Sequence, residues 1–312
     1  CRLRFPQRNL FRAIRLSLFP AEDASHAGKS KRNLSPFGAL STTLAATLGT
    51  GNIIGVSTAV ALGGPGAIFW CWITGILGMA TSYGECYLSV LYRRKRKDGV
   101  YTGGPMYVLK NGLHNNIAGG FYAFCTLTAA FGVGCTTQAN SVTGAAVQSF
   151  GLSPHLVGIA LAAVTGAVIL GGIKSIGTLC ERTVPAITIL YLLGCLLLLV
   201  LYRHQLAAAV IWILKDAFSF AGFAGGVAGA GLKVGAAAIA AAASDTEDPA
   251  IQAYVSMTAV FWDTVVMCLL TGLVIVCNML YDPASTAGAA ETDLTAAAFS
   301  HLPYVGDAFL TV

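Results

Sequence analysis

The residues best suited to chemistry occupy positions 48–55, which read Leu-Gly-Thr-Gly-Asn-Ile-Ile-Gly. They lie in the middle of an apolar run over residues 37–62, and about twenty apolar residues suffice to cross the hydrocarbon of a bilayer. At that depth the amide of Asn52 needs hydrogen-bond partners, and each glycine weakens a helix by roughly 1 kcal/mol. The pattern fits either two helices packed closely through small residues or a helix that unwinds, so that its amides and carbonyls hold a small ligand or ion. The polar centre Thr50, Gly51 and Asn52 favours the binding site.

The glycines of this stretch also approximate a dinucleotide-binding pattern, with Gly49, Gly51 and Gly55 as the repeated positions. That pattern requires a preceding strand, a following helix and an acidic residue about twenty positions later. Here both flanks are long apolar runs, and no acidic residue occurs between Asp23 and Glu85. A nucleotide site is therefore excluded.

Other polar side chains also fall within apolar runs. Asp263 lies mid-run, where an unpaired carboxylate is costly, so the sequence predicts an ion ligand or a partner to a buried cation there. Glu85 lies near the end of its run, which favours a structural position within reach of interfacial water. Gln138 and Asn140 point to different sides of a helix, so at most one of them lines a cavity. No role is assigned to Lys233, whose neighbours are almost all glycine and alanine.

The composition predicts one all-α polytopic membrane unit over residues 37–312. The chain is 55% hydrophobic and 11% charged, with a mean hydropathy of +0.70, whereas soluble domains carry about 25% charged residues. The nine cysteines show no paired, zinc or haem spacing, so we expect small apolar side chains and no cofactor. The chain begins with Cys1 and has no signal peptide, which suggests that it starts partway into its gene product.

The segment 1–36 is rich in Lys and Arg, with apolar residues interleaved. This pattern predicts a basic amphipathic helix on the membrane surface, and nucleic-acid binding is disfavoured because the segment leads directly into a span. The spans are predicted at residues 37–62, 68–92, 117–147, 155–173, 183–202, 216–243 and 251–279, with another beginning at Leu294. Residues 174–182 are expected to be a charged loop, and 203–215 a connecting segment at the interface.

The distribution of positive charge predicts the orientation of these spans. If they alternate in direction, the segments 1–36, 93–116 and 174–182 share one side and hold most of the 19 Lys and Arg residues. Loops rich in Lys and Arg face the cytoplasm. The N-terminus is therefore predicted to be cytoplasmic, in a multi-pass protein of the cell membrane.

Several motifs together resemble the alanine or glycine:cation symporter family. The resemblance is carried by the run from Leu44 to Trp70, which contains Gly-Thr-Gly-Asn, by Gly-Gly-Pro-Met-Tyr at 103–107, by Gln-Ala-Asn-Ser at 138–141 and by Phe-Trp-Asp-Thr-Val-Val at 261–266. It covers nearly the whole chain, and the first two motifs are highly specific.

The resemblance implies a leucine-transporter-like fold, in which five helices are followed by an inverted copy of five, and the first and sixth are broken. It implies that Thr50, Gly51 and Asn52 contact the amino acid, with Gln138 nearby on the third helix. Sodium, the coupling ion, is expected at Gly49, Asp263 and Thr264.

The sequence departs from the family pattern in three places. The family's additional N-terminal span is represented only by its end, and the chain stops within the eighth core helix, so the first repeat is complete and the second partial. The motif of the second broken helix, Arg-Gly followed by two residues and Ser-Asn-Glu-Ala-Gly, is not found between Gly235 and Ile239.

The function predicted from the sequence is sodium-coupled symport of a small neutral amino acid, alanine or glycine, by alternating access. The alternative is a truncated remnant of such a symporter that does not transport. A channel or a counter-transporter is less favoured, because no polar stripe follows several spans. An enzyme is not expected, because the five histidines lie mostly in loops or at termini and form no catalytic arrangement.

Overall fold

The computed structural model describes residues 5–18, 33–230, 235–246, 248–287 and 293–302, which are predominantly helical. The α-helices in these residues are α1 (Leu10–Leu18), α2 (Pro36–Thr47), α3 (Thr50–Gly63), α4 (Ala67–Leu91), α5 (Pro105–Tyr107), α6 (Asn116–Ala129), α7 (Thr137–Phe150), α8 (Pro154–Leu170), α9 (Gly172–Leu201), α10 (Leu206–Asp216), α11 (Phe220–Ala230), α12 (Gly235–Ala242), α13 (Pro249–Val260), α14 (Leu269–Tyr281), α15 (Pro283–Ala287) and α16 (Leu294–Phe299). A 3-10 turn covers Pro6–Asn9, and β1 (Arg94–Lys95) pairs antiparallel with β2 (Tyr101–Thr102).

Four of these helical stretches are long and apolar enough to cross a membrane. They are Ala67–Leu91, Asn116–Val147, Gly172–Leu201 and Pro249–Tyr281. The pair α2 and α3 forms a fifth if it is counted as one bent span. The chain is thus an all-α polytopic membrane protein, as predicted.

The first span is broken where the sequence predicts it. Helix α2 ends at Thr47, and Leu48 then takes an extended conformation, with φ −74° and ψ 108°. Gly49 is also extended, and α3 begins at Thr50. The axes of the two halves differ by 41°. The break leaves the carboxyl end of one helix beside the amino end of the next in mid-span.

The span Pro249–Tyr281 contains a π-helical segment, Phe261–Cys268, between α13 and α14. Asp263 lies within it. Single π turns inside α-helices are frequent at functional sites. The segment approaches α4 closely at Gly75, where a Cβ atom would lie 2.7 Å from the Thr264 methyl carbon. Glycine at this position is therefore what allows α4 to pass the π segment.

Three boundaries differ from those expected. Residues 174–182 form no loop but lie in the first part of α9, because Gly171 and Gly172 (φ 75°) make the turn and leave the charged residues helical. The segment 203–215 lies largely in α10, which packs on α4 and α14. The expected span 216–243 is divided into α11 and α12, and residues 231–234, which include Lys233, lie outside the described part.

The N-terminal basic segment is helical where it is described. Helix α1 packs on α13, and the amide of Gln7 donates to the Ile76 carbonyl on α4 at 3.1 Å. Arg8, Arg12 and Arg15 are exposed. The apolar face of α1 thus rests on the bundle while its basic face points outward. The location of this helix at a membrane surface stays a prediction.

The broken pair of helices α2 and α3 runs antiparallel to the pair α11 and α12. Helix α3 packs on α11, with Gly63 and Gly225 in close backbone contact, and α2 packs on α12. Since Arg93 at the end of α4 contacts the carboxyl end of α12, we call this side of the molecule the basic end. The side where Gly66 contacts Asp216 is the opposite end. The length of α4, about 37 Å at 1.5 Å per residue, separates them.

Candidate functional site

Asn52 and Asp263 meet at the helix break. The Asn52 amide nitrogen donates to Oδ1 of Asp263 at 2.8 Å, although the two residues are 211 positions apart. Both side chains are 2% exposed. The Thr264 hydroxyl donates to the other Asp263 oxygen at 2.9 Å, and the Cys268 thiol donates to the Asn52 oxygen at 3.0 Å. These hydrogen bonds offer a buried carboxylate neutral donors, and a bound cation would compensate its charge far better.

A cavity of about 200 Å³ lies on one side of this pair, between α2, α3, α4 and the π segment. Gly51, Asp263 and Thr264 line it. Five hydroxyl-bearing residues also line it, namely Thr43, Thr47, Thr74, Thr81 and Ser82. The cavity is thus mainly apolar but is lined by one carboxylate residue and several hydroxyl residues, whose oxygen atoms are ligands of the kind that hard cations prefer.

A smaller cavity of about 80 Å³ lies on the other side of the pair, against α9. Gly49 and Asn52 line it together with Tyr191 and other residues of α9. Gln138 lies next to Gly49, since a Cβ atom on that glycine would be 3.3 Å from the Gln138 amide oxygen. The pair of Asn52 and Asp263 thus forms part of the partition between two cavities.

The predicted site residues fall into two groups in the structure. Gly51, Asp263 and Thr264 share the larger cavity, whereas Gly49 and Asn52 line the smaller one and Gln138 stands beside Gly49. The hydrogen bond between Asn52 and Asp263 links the groups. The backbone of Thr50 starts α3, but its side chain lies outside the described part. Asn140 is exposed on α7 and lines neither cavity.

The helix ends at the break add fixed partial charges. The carboxyl end of α2 is the negative end of a helix, and the amino end of α3 is a positive end with backbone N–H groups directed outward. The backbone N–H of Asn52 closes the first turn of α3 by donating to the Gly49 carbonyl at 3.0 Å. A cation is stabilised near the end of α2, and an anionic group near the start of α3.

Sequence reasoning missed the hydroxyl residues that line the larger cavity. Thr43 and Thr47 are four positions apart on α2, and Thr74, Gly78 and Ser82 follow the same spacing on α4. Side chains four apart lie on one helix face. Small and hydroxyl residues at this spacing beside a broken helix were a signal available in the sequence.

The basic end of α4 is held by a cluster around Arg93. Its guanidinium donates to the carbonyls of Ser244 at 2.6 Å and Thr246 at 2.7 Å, both beyond α12, and more weakly to Ala242. The ring of Tyr101 lies 3.8 Å from the guanidinium carbon. One side chain thus joins α4, the β-hairpin and the segment after α12.

The same segment after α12 is tied to the chain before α2. The Leu34 amide donates to the Ala243 carbonyl at 3.1 Å, and the Asp245 amide donates to the Leu34 carbonyl at 2.8 Å. Burial raises the pKa of the Asp245 carboxyl, an effect opposed by its hydrogen bond to Asn33 and by the charge of Arg93. Burial is the larger influence, so the pKa of this carboxyl lies above its usual value.

The family profile and two named relatives indicate the same class of protein, a sodium-coupled symporter. The profile of the sodium:alanine symporter family matches residues 1–312. The chain is 41% identical to the sodium/alanine symporter AgcS of Methanococcus maripaludis over 96% of its length. It is 39% identical to an uncharacterized transporter of Haemophilus influenzae over 84%, and 35% identical to the probable sodium/glutamine symporter GlnT of Bacillus subtilis over 92%. The matches span 69%, 62% and 62% of these three relatives.

Proposed function

Because the chain belongs to the sodium:alanine symporter family, we propose that it carries a small neutral amino acid, alanine or glycine, across the cell membrane together with sodium. The observation that carries this proposal is the hydrogen-bonded pair of Asn52 and Asp263 at a helix break in mid-span. A carboxylate at membrane depth is expensive unless it serves an ion or a proton. A broken helix beside it supplies the groups that a zwitterion needs.

In this proposal the cation binds next to Asp263. A monovalent cation there gains a full negative charge from Asp263, a hydroxyl oxygen from Thr264 and the negative end of α2. The Gly49 carbonyl, one residue before α3, joins this set if the Asn52 side chain turns with the bound ion. Sodium then stabilises the orientation of the break, which is the physical basis for coupling ion to substrate.

In this proposal the amino acid binds at the start of α3. Its carboxylate accepts from backbone N–H groups of Thr50 and Gly51, where the positive end of the helix favours an anion. The Asn52 amide and Gln138 border the same turn. A site formed by glycine backbone leaves space for a methyl group or a hydrogen atom as the substrate side chain, which favours alanine or glycine.

The arrangement of the helices supports alternating access in a leucine-transporter-like fold. The broken pair α2 and α3 runs antiparallel to α11 and α12, each half packing on one half of the other pair. Inverted repeats place such pairs at the centre and alternate access by rocking one set of helices against the other. The basic end, with Arg93 to Lys97, faces the cytoplasm under this proposal, because positively charged loops are retained there.

The test is uptake of radioactive alanine into liposomes that contain the purified 312-residue chain. Accumulation should require an inward sodium gradient and be lost when potassium replaces sodium. Asn52→Ala should lower the initial rate about tenfold or more, because it removes a ligand and the hydrogen bond that the Asn52 side chain donates to the buried Asp263 carboxylate. Excess glycine should compete with alanine, whereas competition by glutamine alone would change the substrate assigned.

The matched control is Asn140→Ala, the same substitution at an exposed position on α7. It should leave uptake within about twofold of the unaltered chain, as surface substitutions usually do. Absence of sodium-dependent accumulation by the unaltered chain would refute the proposed function. Equal loss in both variants would show that Asn52 has no special role.

A further inference from the structure

One face of α4 leads from the larger cavity toward the basic end. The residues of α4 that line the cavity are Cys71, Thr74, Gly75, Gly78, Thr81 and Ser82. At 3.6 residues per turn they occupy an arc of about 120°. Glu85 falls inside this arc, nearly one helical turn beyond Ser82. The cavity-lining face therefore continues to a second carboxylate.

The surroundings of Glu85 are unusually poor in partners. Its Oε2 atom is buried and has no hydrogen-bond partner among the described residues, and no ion pair to Glu85 is found there. Ser82 is 5% exposed and Ser89 is fully buried, and their hydroxyl oxygens also lack a hydrogen bond of normal geometry in the described part. Buried polar atoms normally have partners. A carboxylate between two such hydroxyls on one helix face has the ligand chemistry of a cation site.

The position of Glu85 along the helix is intermediate. Gly75 is in contact with Thr264, and Glu85 is ten residues further along α4, about 15 Å nearer the basic end. Beyond it the face is closed, because Gly103 abuts the Ser89 carbonyl and Ala242. On this face of α4, Glu85 thus lies between the cavity and the closed segment.

We propose that Glu85, flanked by Ser82 and Ser89, is a second binding site for the coupling cation, occupied between Asp263 and the basic end. The ligand is a monovalent cation, with sodium as the test ion. The proposal rests on the proposed function for its direction of travel but not for the existence of the site. The alternative hypothesis is that Glu85 has only a structural role and reaches interfacial water.

The first test measures binding of radioactive sodium to the purified full chain without amino acid. Asp263→Asn should retain saturable binding, and the double variant Asp263→Asn with Glu85→Gln should lose it. Asp98→Asn is the matched control, since it removes one carboxylate from the exposed hairpin at the same end. Sodium binding by Glu85→Gln equal to that of the unaltered chain, with no difference between Asp263→Asn and the double variant, would refute the site.

The second test separates a binding role from a structural one by its sidedness. In proteoliposomes, sodium inside the vesicle should inhibit alanine uptake by rebinding from the basic end. Glu85→Gln should raise the internal sodium concentration for half-inhibition by about tenfold, as expected for loss of a charged ligand. The external concentration for half-maximal uptake should change by less than about twofold. An equal shift on both sides would indicate a structural role and overturn the proposal.

The variant Glu85→Asp guards against a failure of Glu85→Gln to fold. It keeps the charge on a side chain one methylene shorter, and it should shift the internal value in the same direction by less. No shift with this variant would also refute the site. If the unaltered chain binds sodium at Glu85 but accumulates no alanine, the proposed function fails and the site stands. If uptake is normal and Glu85→Gln is indistinguishable, the site fails and the function stands.

Discussion

The two ends of α4 are fastened in different ways. At the opposite end the Gly66 amide donates to Asp216 at 2.8 Å, and the Trp70 indole donates to the Ala217 carbonyl at 2.6 Å. The basic end depends on the guanidinium of Arg93, which donates to carbonyls of the segment after α12. Both ends connect α4 to the region of α10 to α12, but only the basic end does so through the side chain of an arginine.

The difference indicates which end is easier to open. At the opposite end, α3 and α11 meet backbone to backbone at Gly63 and Gly225, so separation requires two helices to move apart. At the basic end, rotation of one side chain breaks three hydrogen bonds, which leaves the segment after α12 held by its two backbone hydrogen bonds to Leu34. If the chain works by the alternating access proposed above, the basic end is the better candidate for a gate and the opposite end for a hinge.

The largest expected effect comes from removing the guanidinium. Cys86 is buried in a cluster with Val90 and with Ala241 of α12. Arg93→Ala should loosen α12 and raise the labelling rate of Cys86 by a maleimide about tenfold or more, since hydrogen bonds to charged groups contribute about 1.5–3 kcal/mol each. The measurement uses a chain in which the other cysteines are replaced by alanine. Asp216→Ala, the corresponding change at the opposite end, should leave the Cys86 rate unchanged. A similar increase in both variants would remove the distinction between the ends.

A pair of glycine substitutions sharpens the same contrast. A Cβ atom on Gly63 would lie 2.7 Å from the Gly225 Cα atom, and one on Gly103 would lie 2.6 Å from the Ala242 Cβ atom. Gly63→Ala should destabilise the protein by about 1–3 kcal/mol, because two helix backbones must separate. Gly103→Ala should lower the melting temperature in detergent less, because the hairpin can shift. The reverse order of melting temperatures would identify the basic end as the rigid one.

The smallest expected effect is a pH dependence confined to the basic end. Burial raises the pKa of Asp245 above its usual value, so the folded state favours the protonated carboxyl. Its contribution to stability is present below the pKa of the unfolded chain and is lost as pH rises through the higher folded value. Hydrogen exchange at residues 242–246, corrected for intrinsic rates, should therefore be slower at acidic pH. Asp245→Asn should abolish this dependence, and an opposite trend would show that the charge of Arg93 outweighs burial.

The sequence was sufficient to locate the helix break, but not to predict that Asp263 contacts Asn52 there. Glycines within an apolar run weaken a helix locally, which is why the break could be predicted at residues 48–52 and is found at Leu48 and Gly49. A carboxylate in an apolar run is equally visible, and so Asp263 was singled out. The contact between Asp263 and Asn52 depends on the packing of residues 211 positions apart, which no local pattern encodes.

The errors in the predicted boundaries have a physical cause as well. Charges at 174–182 suggested a loop, but charged residues are good helix formers, and Gly171 with Gly172 already makes the turn. The π segment left no signal, because its residues are apolar apart from Asp263 and Thr264 and suit an ordinary helix. The split of the site into two cavities follows from that segment and could not be foreseen.

The π turn also makes the contacts of the Asn52 side chain depend on the number of residues between Asp263 and Cys268. Asp263 and Cys268 touch the two polar atoms of one Asn52 amide, although they are five residues apart. In a regular α-helix, residues five apart point about 140° away from each other, whereas a π turn, with its bond between residues five apart, brings them to the same side. Deleting Val265, Val266 or Met267 would leave the two residues four positions apart, a spacing that a regular α-helix keeps on one face, but it would turn α14 by about 100° relative to α13 while altering no polar group. The segment thus tolerates changes of side chain better than changes of length.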